Sequence, residues 1–208
     1  MRPSRTRLIE LIVAVSVVVI SVASLFIAWF QGRVMQQTLE ASVLPVIQYG
    51  SGNYDLDREE WRMTLVFRNT GIGPAELRSL RMTWDGETIS DTSQFLARCC
   101  VPAEVPPAER HNYVRQAFVS GELAFLFDDV EGRFFAPQEE VEFITSARPD
   151  AETQPRGHAL WTALDEVRHE IDVEICYCSV FDDCWLARFP GQSRERVDRC
   201  PDPTFSRN

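Results

Sequence analysis

Lysine is absent; all 21 basic residues are arginine. That usage points to a GC-rich, bacterial source rather than to a mechanism. Positive charge is also scarce beside the 31 acids. Residues 1–30 hold Arg2, Arg5 and Arg7 against a single acid, Glu10, so the remainder carries 18 arginines against 30 acids, a net charge of −12. So acidic a chain offers no attractive field to a phosphate backbone, which argues against nucleic acid as a partner. It is repelled by anionic lipid surfaces, while its charge favours solubility and can steer a basic partner. Histidine occurs only as His111, His158 and His169, without HExxH or H-x-H spacing, so each reads as a surface or capping residue. The lack of a G-x-S-x-G elbow removes motif support for a serine hydrolase. Neither a Walker loop nor G-x-G-x-x-G is present, and Gly71-x-Gly73 leads into proline and a strand instead of a helix. C-x-x-C is missing too, which removes the usual redox and zinc-ribbon signatures.

The longest hydrophobic run is Leu8–Phe30, LIELIVAVSVVVISVASLFIAWF, which contains one charge. At about 1.5 Å per residue it spans roughly 34 Å, enough to cross a hydrocarbon core with some tilt. Trp29 and Phe30 close it where aromatic rings favour the headgroup boundary. Three arginines precede it and only Arg33 follows closely, which places the N-terminus in the cytosol. A cleaved signal peptide is the rival reading, with Ser21-Val22-Ala23 as a small-x-small site. The apolar stretch, however, runs past that site and exceeds a usual h-region. The expected organisation is a cytosolic N-terminus over 1–7, a transmembrane helix over 8–30, a helical stalk over 31–44, a β-sandwich over 45–190 and a loose polar tail over 191–208. Pro45 ends the stalk, because the residue before proline avoids the helical region.

Beyond Pro45 the pattern changes to alternation. Trp61, Met63, Leu65 and Phe67 alternate with more polar neighbours, as do Leu80, Met82 and Trp84, and Ile171, Val173, Ile175 and Tyr177. Val46–Tyr49, Tyr113–Val119, Leu123–Phe127, Arg133–Phe135, Val141–Thr145 and Cys184–Phe189 read as further strands. Asp85-Gly86 suits a tight hairpin. Asp91–Cys99 reads as a short helix capped by Ser90 or Asp91, and a second helix is expected over 158–167. Short strands with frequent turns and two small helices predict an immunoglobulin-like β-sandwich with small helical insertions, preceded by one transmembrane helix.

The stretch Asn69-x-Gly71-x-Gly73-Pro74-Ala75 reads as a structural turn, with Gly71 or Gly73 supplying positive φ. Together with Cys176-Tyr177-Cys178-Ser179 and Cys184-Trp185, it resembles a group of uncharacterised bacterial single-pass envelope proteins with an immunoglobulin-like domain. That resemblance covers most of residues 1–190. It implies fold and location and brings no known activity.

Six cysteines, Cys99, Cys100, Cys176, Cys178, Cys184 and Cys200, form an even set outside the cytosol, and structural disulfides are the default. Setting aside the strained neighbours Cys99–Cys100 and Cys176–Cys178 leaves ten of the fifteen pairings. Cys178 and Cys184 can face each other across a hairpin. Cys-x-Cys could hold zinc, though its spacing is not that of a zinc ribbon. Acidic clusters at Asp55–Glu60, Asp128–Glu131 and Asp182-Asp183 could hold calcium only where two loops meet, and none has the EF-hand pattern. No cofactor is indicated. The sequence therefore predicts a module of the bacterial inner membrane with a periplasmic domain that binds another envelope protein. The alternative is an envelope enzyme or metal-dependent sensor whose site is assembled from scattered residues.

Overall fold

A computed structural model describes residues 5–191 and 193–202. Arg2 and the rest of 1–4, at the expected cytosolic end, and residues 203–208 of the expected tail lie outside the described residues. The chain divides into two units, Met1–Ser42 and Val43–Asn208.

The first unit is α1 (Arg5–Ser42), one helix of 38 residues. Its stretch Arg7–Leu39 is long and apolar enough to cross a membrane. Within it, the hydroxyls of Ser16, Ser21 and Thr38 donate to the carbonyls of Ile12, Val17 and Val34, each at 2.8 Å. These polar groups therefore need no water. The helix runs through residue 30 without a break and ends just before Pro45, where a further helical turn is disfavoured.

In chain order the second unit contains β1 (Ile47–Asp55), β2 (Glu60–Asn69), β3 (Ala75–Trp84), β4 (Glu87–Thr88), α2 (Thr92–Cys99), α3 (Arg110–Val119), β5 (Leu126–Phe127) and β6 (Phe134–Phe135). It continues with β7 (Glu140–Ala147), α4 (Pro155–Val167), β8 (Asp172–Cys178), β9 (Cys184–Phe189) and β10 (Ser193–Val197). The strands form two antiparallel sheets. One has the order β1-β2-β7-β5; the other runs β10-β9-β8-β3-β4, with β6 also on β3. Alternation sets the faces. Met63, Leu65 and Phe67 of β2 are buried and Arg68 is exposed, while Trp61, on the same parity as the buried three, is exposed near the strand's start. Phe67 stacks on Phe143 of β7 with ring centroids 4.4 Å apart. The Asp85-Gly86 turn has φ of 51° and 75°, the left-handed pair that a two-residue hairpin requires. Among the described residues, the buried apolar side chains all come from Pro45 onward, within the second unit.

The helices are placed by local chemistry. Asp91 caps α2 by accepting from the Gln94 amide at 2.7 Å. Glu122 does the same for α4 from a distance. Its carboxylate accepts from the Arg156 amide at 2.9 Å and from Arg156 Nε at 3.0 Å. A Cβ on Gly157 would overlap the Glu122 carbonyl, so glycine is what lets this approach occur.

Three expectations need correction. Tyr113–Val119 is part of helix α3, not a strand. Val114 and Ala117 are its buried positions, spaced at i,i+3, with Tyr113 and Phe118 partly buried beside them and Val119 exposed. The tail is not wholly loose, since Ser193–Val197 pairs with β9 through its backbone although its side chains carry no apolar alternation. The expected strand Leu123–Phe127 shrinks to Leu126–Phe127.

Candidate functional site

The Asn69–Ala75 turn, marked in the sequence as structural, is a tie among three chain segments. Asn69 is fully buried. Its Oδ1 accepts from the amides of Val46 at 3.2 Å and Gly71 at 3.0 Å. Its Nδ2 donates to the carbonyls of Gly73 at 2.8 Å, Phe135 at 3.3 Å and Ala136 at 3.2 Å. One amide side chain thus joins the entry to the domain, the turn and the end of β6, and buried groups that would otherwise lack partners are satisfied. The reason given for the glycines is corrected. Neither Gly71 nor Gly73 is among the positive-φ residues. They are required by close approach: a Cβ on Gly71 would meet the backbone of Leu44–Val46, and one on Gly73 would overlap the Val43 carbonyl. Pro74 then leads into β3, where a missing amide donor is tolerated.

The cysteines pair as Cys99–Cys100, Cys176–Cys200 and Cys178–Cys184, with Cα–Cα distances of 3.7, 5.6 and 4.0 Å. Cys178–Cys184 bridges the β8–β9 hairpin as its spacing allows. The neighbouring pair Cys99–Cys100, set aside on grounds of strain, is joined. It sits where α2 ends, and Cys100 leaves helical geometry with φ of −127°. Cys178 Sγ lies 3.7 Å from Cys200 Sγ. This explains why Cys178, Cys184 and Cys200 are the one cluster of metal-type ligands among the described residues: all three sulfurs belong to disulfides.

The other candidate residues are scattered. His111 and His169 are exposed, and His158 Nε2 lies 3.2 Å from an Arg148 guanidinium nitrogen. Asp55 accepts from the amides of Asp57 and Arg58, both at 3.0 Å, and pairs with the Arg58 side chain. Asp182 pairs with Arg78, and Asp183 with Arg196. These acids serve turns and ion pairs.

What the sequence did not mark is a cavity of about 880 Å³ between the sheets. Met63 and Leu65 of β2 and Phe143 and Ile144 of β7 wall one side; Leu80 and Met82 of β3 wall the other. Phe95 and Leu96 of α2, Leu164 of α4 and Ile171 close one end, and the segment 125–132 forms the remaining wall. The lining is apolar except for Thr92 and five charged side chains, and most of the charges are paired. Arg168, only 8% exposed, donates to Asp165 and to Ser51 Oγ, each at 2.7 Å. Arg78 pairs with Glu76 at 2.9 Å and Asp182 at 2.7 Å. Asp128 pairs with Arg133, which also serves Glu139. Asp129 lies on the exposed side. Glu131 is half-buried. Its Oε1 accepts from the Leu80 amide at 2.8 Å, a stand-in for a neighbouring strand on this part of β3. Burial raises its carboxyl above the ordinary value, and the Leu80 amide offsets part of that rise. No arginine pairs with it among the described residues.

Beside the cavity, β5 is the outer strand of its sheet and exposes Leu126 and Phe127, at 66% and 60%. Phe127 also lines the cavity and lies 6.0 Å from the Phe125 ring. This exposed edge, unlike the cavity, has a signal in the sequence, the aromatic-aliphatic run Phe125-Leu126-Phe127 directly before the acids Asp128, Asp129 and Glu131. No family model matches the chain, and no curated protein or solved structure matches it.

Proposed function

We propose that this chain is a membrane-anchored module of the bacterial envelope that binds another envelope protein and carries no catalytic activity. In this reading α1 is an uncleaved signal-anchor in the inner membrane, the N-terminus is cytosolic, and the domain is periplasmic. The domain is an immunoglobulin-like sandwich of the envelope group carrying N-x-G-x-G-P-A. The apolar helix and the disulfide pairs support the placement. The observation that carries the binding role is the edge strand β5. A solvent-facing edge with two large apolar side chains is what a sheet protein normally covers or blunts, and it favours an added strand or apolar surface from a partner. A photo-crosslinking residue at Leu126 should trap one discrete envelope protein in intact cells, while the same residue at exposed Leu56 should not. Equal trapping at both positions, or none at Leu126, counts against the reading. A reporter active only in the cytosol, fused after Asn208, should stay silent.

Glu131 favours the second reading, an enzyme. A carboxylate with a raised pKa lining an apolar cavity has the character of a general base. Among the described residues it belongs to no cluster of three metal-type ligands, so binding is preferred.

A further inference from the structure

We propose that the cavity between the sheets binds a small amphiphilic cation, its apolar body held among Leu65, Leu80, Met82 and Phe143 and its ammonium or guanidinium at Glu131. This goes beyond the reading above and does not depend on a protein partner. A sandwich core packs to the density of an organic crystal, and voids larger than a few waters are rare. A volume of about 880 Å³ is instead in the range of sites for small molecules. Its walls offer water few hydrogen-bonding partners, which favours an apolar occupant.

The charges decide the other end of the ligand. Both arginines of the lining are already neutralised, Arg168 by Asp165 and Arg78 by Glu76 and Asp182. Glu131 has an amide partner and no guanidinium. A half-buried carboxylate without a counter-ion is costly, and a ligand cation would supply the missing charge. An anionic head would instead face the Glu131 carboxylate on a domain that is strongly negative overall. The site therefore discriminates by sign as well as by shape.

The test uses the full chain in zwitterionic lipid nanodiscs and three diazirine alkyl probes of equal length, ending in trimethylammonium, maltoside or sulfate. After irradiation, adducts are mapped by mass spectrometry. The ammonium probe should label peptides of β2, β3 and residues 125–132 about tenfold more than the sulfate probe. An excess of unlabelled alkyltrimethylammonium should compete that labelling away. Glu131→Gln keeps an acceptor for the Leu80 amide and should reduce cavity labelling by the ammonium probe to the level of the maltoside probe. Should that variant not fold, Leu80→Phe, which fills part of the cavity, should still reduce cavity labelling by the ammonium probe. Equal cavity labelling by all three heads, preference for the sulfate, or adducts confined to α1 would overturn the proposal. Because the protein is purified, this outcome is separate from whether Leu126 traps a partner in cells.

Discussion

Two parts of the same domain solve opposite packing problems. Around Asn69, backbone approaches backbone so closely that Gly71 and Gly73 have no room for a Cβ, and the one buried polar side chain makes five hydrogen bonds. Between the sheets, about 880 Å³ stays open, its apolar wall interrupted by a carboxylate with no counter-ion. Both parts are built from strands β2 and β3. The contrast teaches that the short supply of glycine and buried amide was placed where the fold must close, and the open volume where it need not. Tight, satisfied regions hold the chain; loose apolar ones are free to bind.

The sharpest way to break this comparison is to damage the tight region. Asn69→Ala leaves the Val46 and Gly71 amides and three carbonyls short of partners, and should cost about 4 kcal/mol. Gly73→Ala drives a methyl into the Val43 carbonyl and should cost about 3 kcal/mol. Thermal melting of the purified protein measures both. If either variant melted like the parent, the tie would not be structural.

Next in size is the covalent staple of the far sheet. Replacing Cys176 and Cys200 with serine should cost about 2–3 kcal/mol. It should also loosen Ser193–Val197, whose side chains are mostly exposed and which is held by the β9 ladder, the Arg196–Asp183 ion pair and this disulfide. Limited proteolysis should then cut after Pro190 first. A tail that resists cleavage would show that the ladder and the ion pair suffice.

These staples also show where the sequence was legible. β2, the second half of β3 and the first half of β8 were readable because one face is buried there and alternation reports that directly. Asp91 and Asp85-Gly86 were readable because caps and turns are local chemistry. β10 was not, because an edge strand exposed on both faces leaves no apolar period. The sequence of α3 suggests a strand because Tyr113, Phe118 and Val119 favour strands while only Val114 and Ala117 of the helix are fully buried. Strain disfavours bridging neighbours, yet Cys99 and Cys100 are joined where α2 ends. The cavity was invisible because Leu65, Leu80, Met82 and Phe143 are what any filled core would use. Only the distance between the sheets distinguishes the two.

A smaller effect probes the long-range cap. Four interactions with Arg156 and Gly157, led by the Arg156 side chain, and one with Ser120 lower the Glu122 carboxyl from 4.5 to about 2. The folded value is the lower one, so ionised Glu122 stabilises the domain at neutral pH. That contribution is complete above about 4.5, the ordinary value, and is lost as pH falls toward 2. Melting temperature should therefore fall over that window in the parent and fall less steeply in Glu122→Gln. The two curves should converge in acid. Parallel curves would mean that Arg156 is held by packing, with the carboxylate a bystander.

The smallest expected change is the most direct measure of the contrast. Leu77 and Leu80 lie three residues apart on β3, but Leu77 is wholly buried and away from the cavity, while Leu80 forms part of its wall. Enlarging a side chain in a filled core forces neighbours off their rotamers, so Leu77→Phe should cost about 2 kcal/mol. Leu80→Phe has open volume to enter and should shift stability by less than about 0.5 kcal/mol in either direction. The same substitution removes space from any occupant, so it should weaken alkyl-probe labelling of the cavity while the fold persists. A loss for Leu80→Phe as large as that for Leu77→Phe would mean that the sheets close on each other in solution. The cavity and the ligand inferred for it would then fall together.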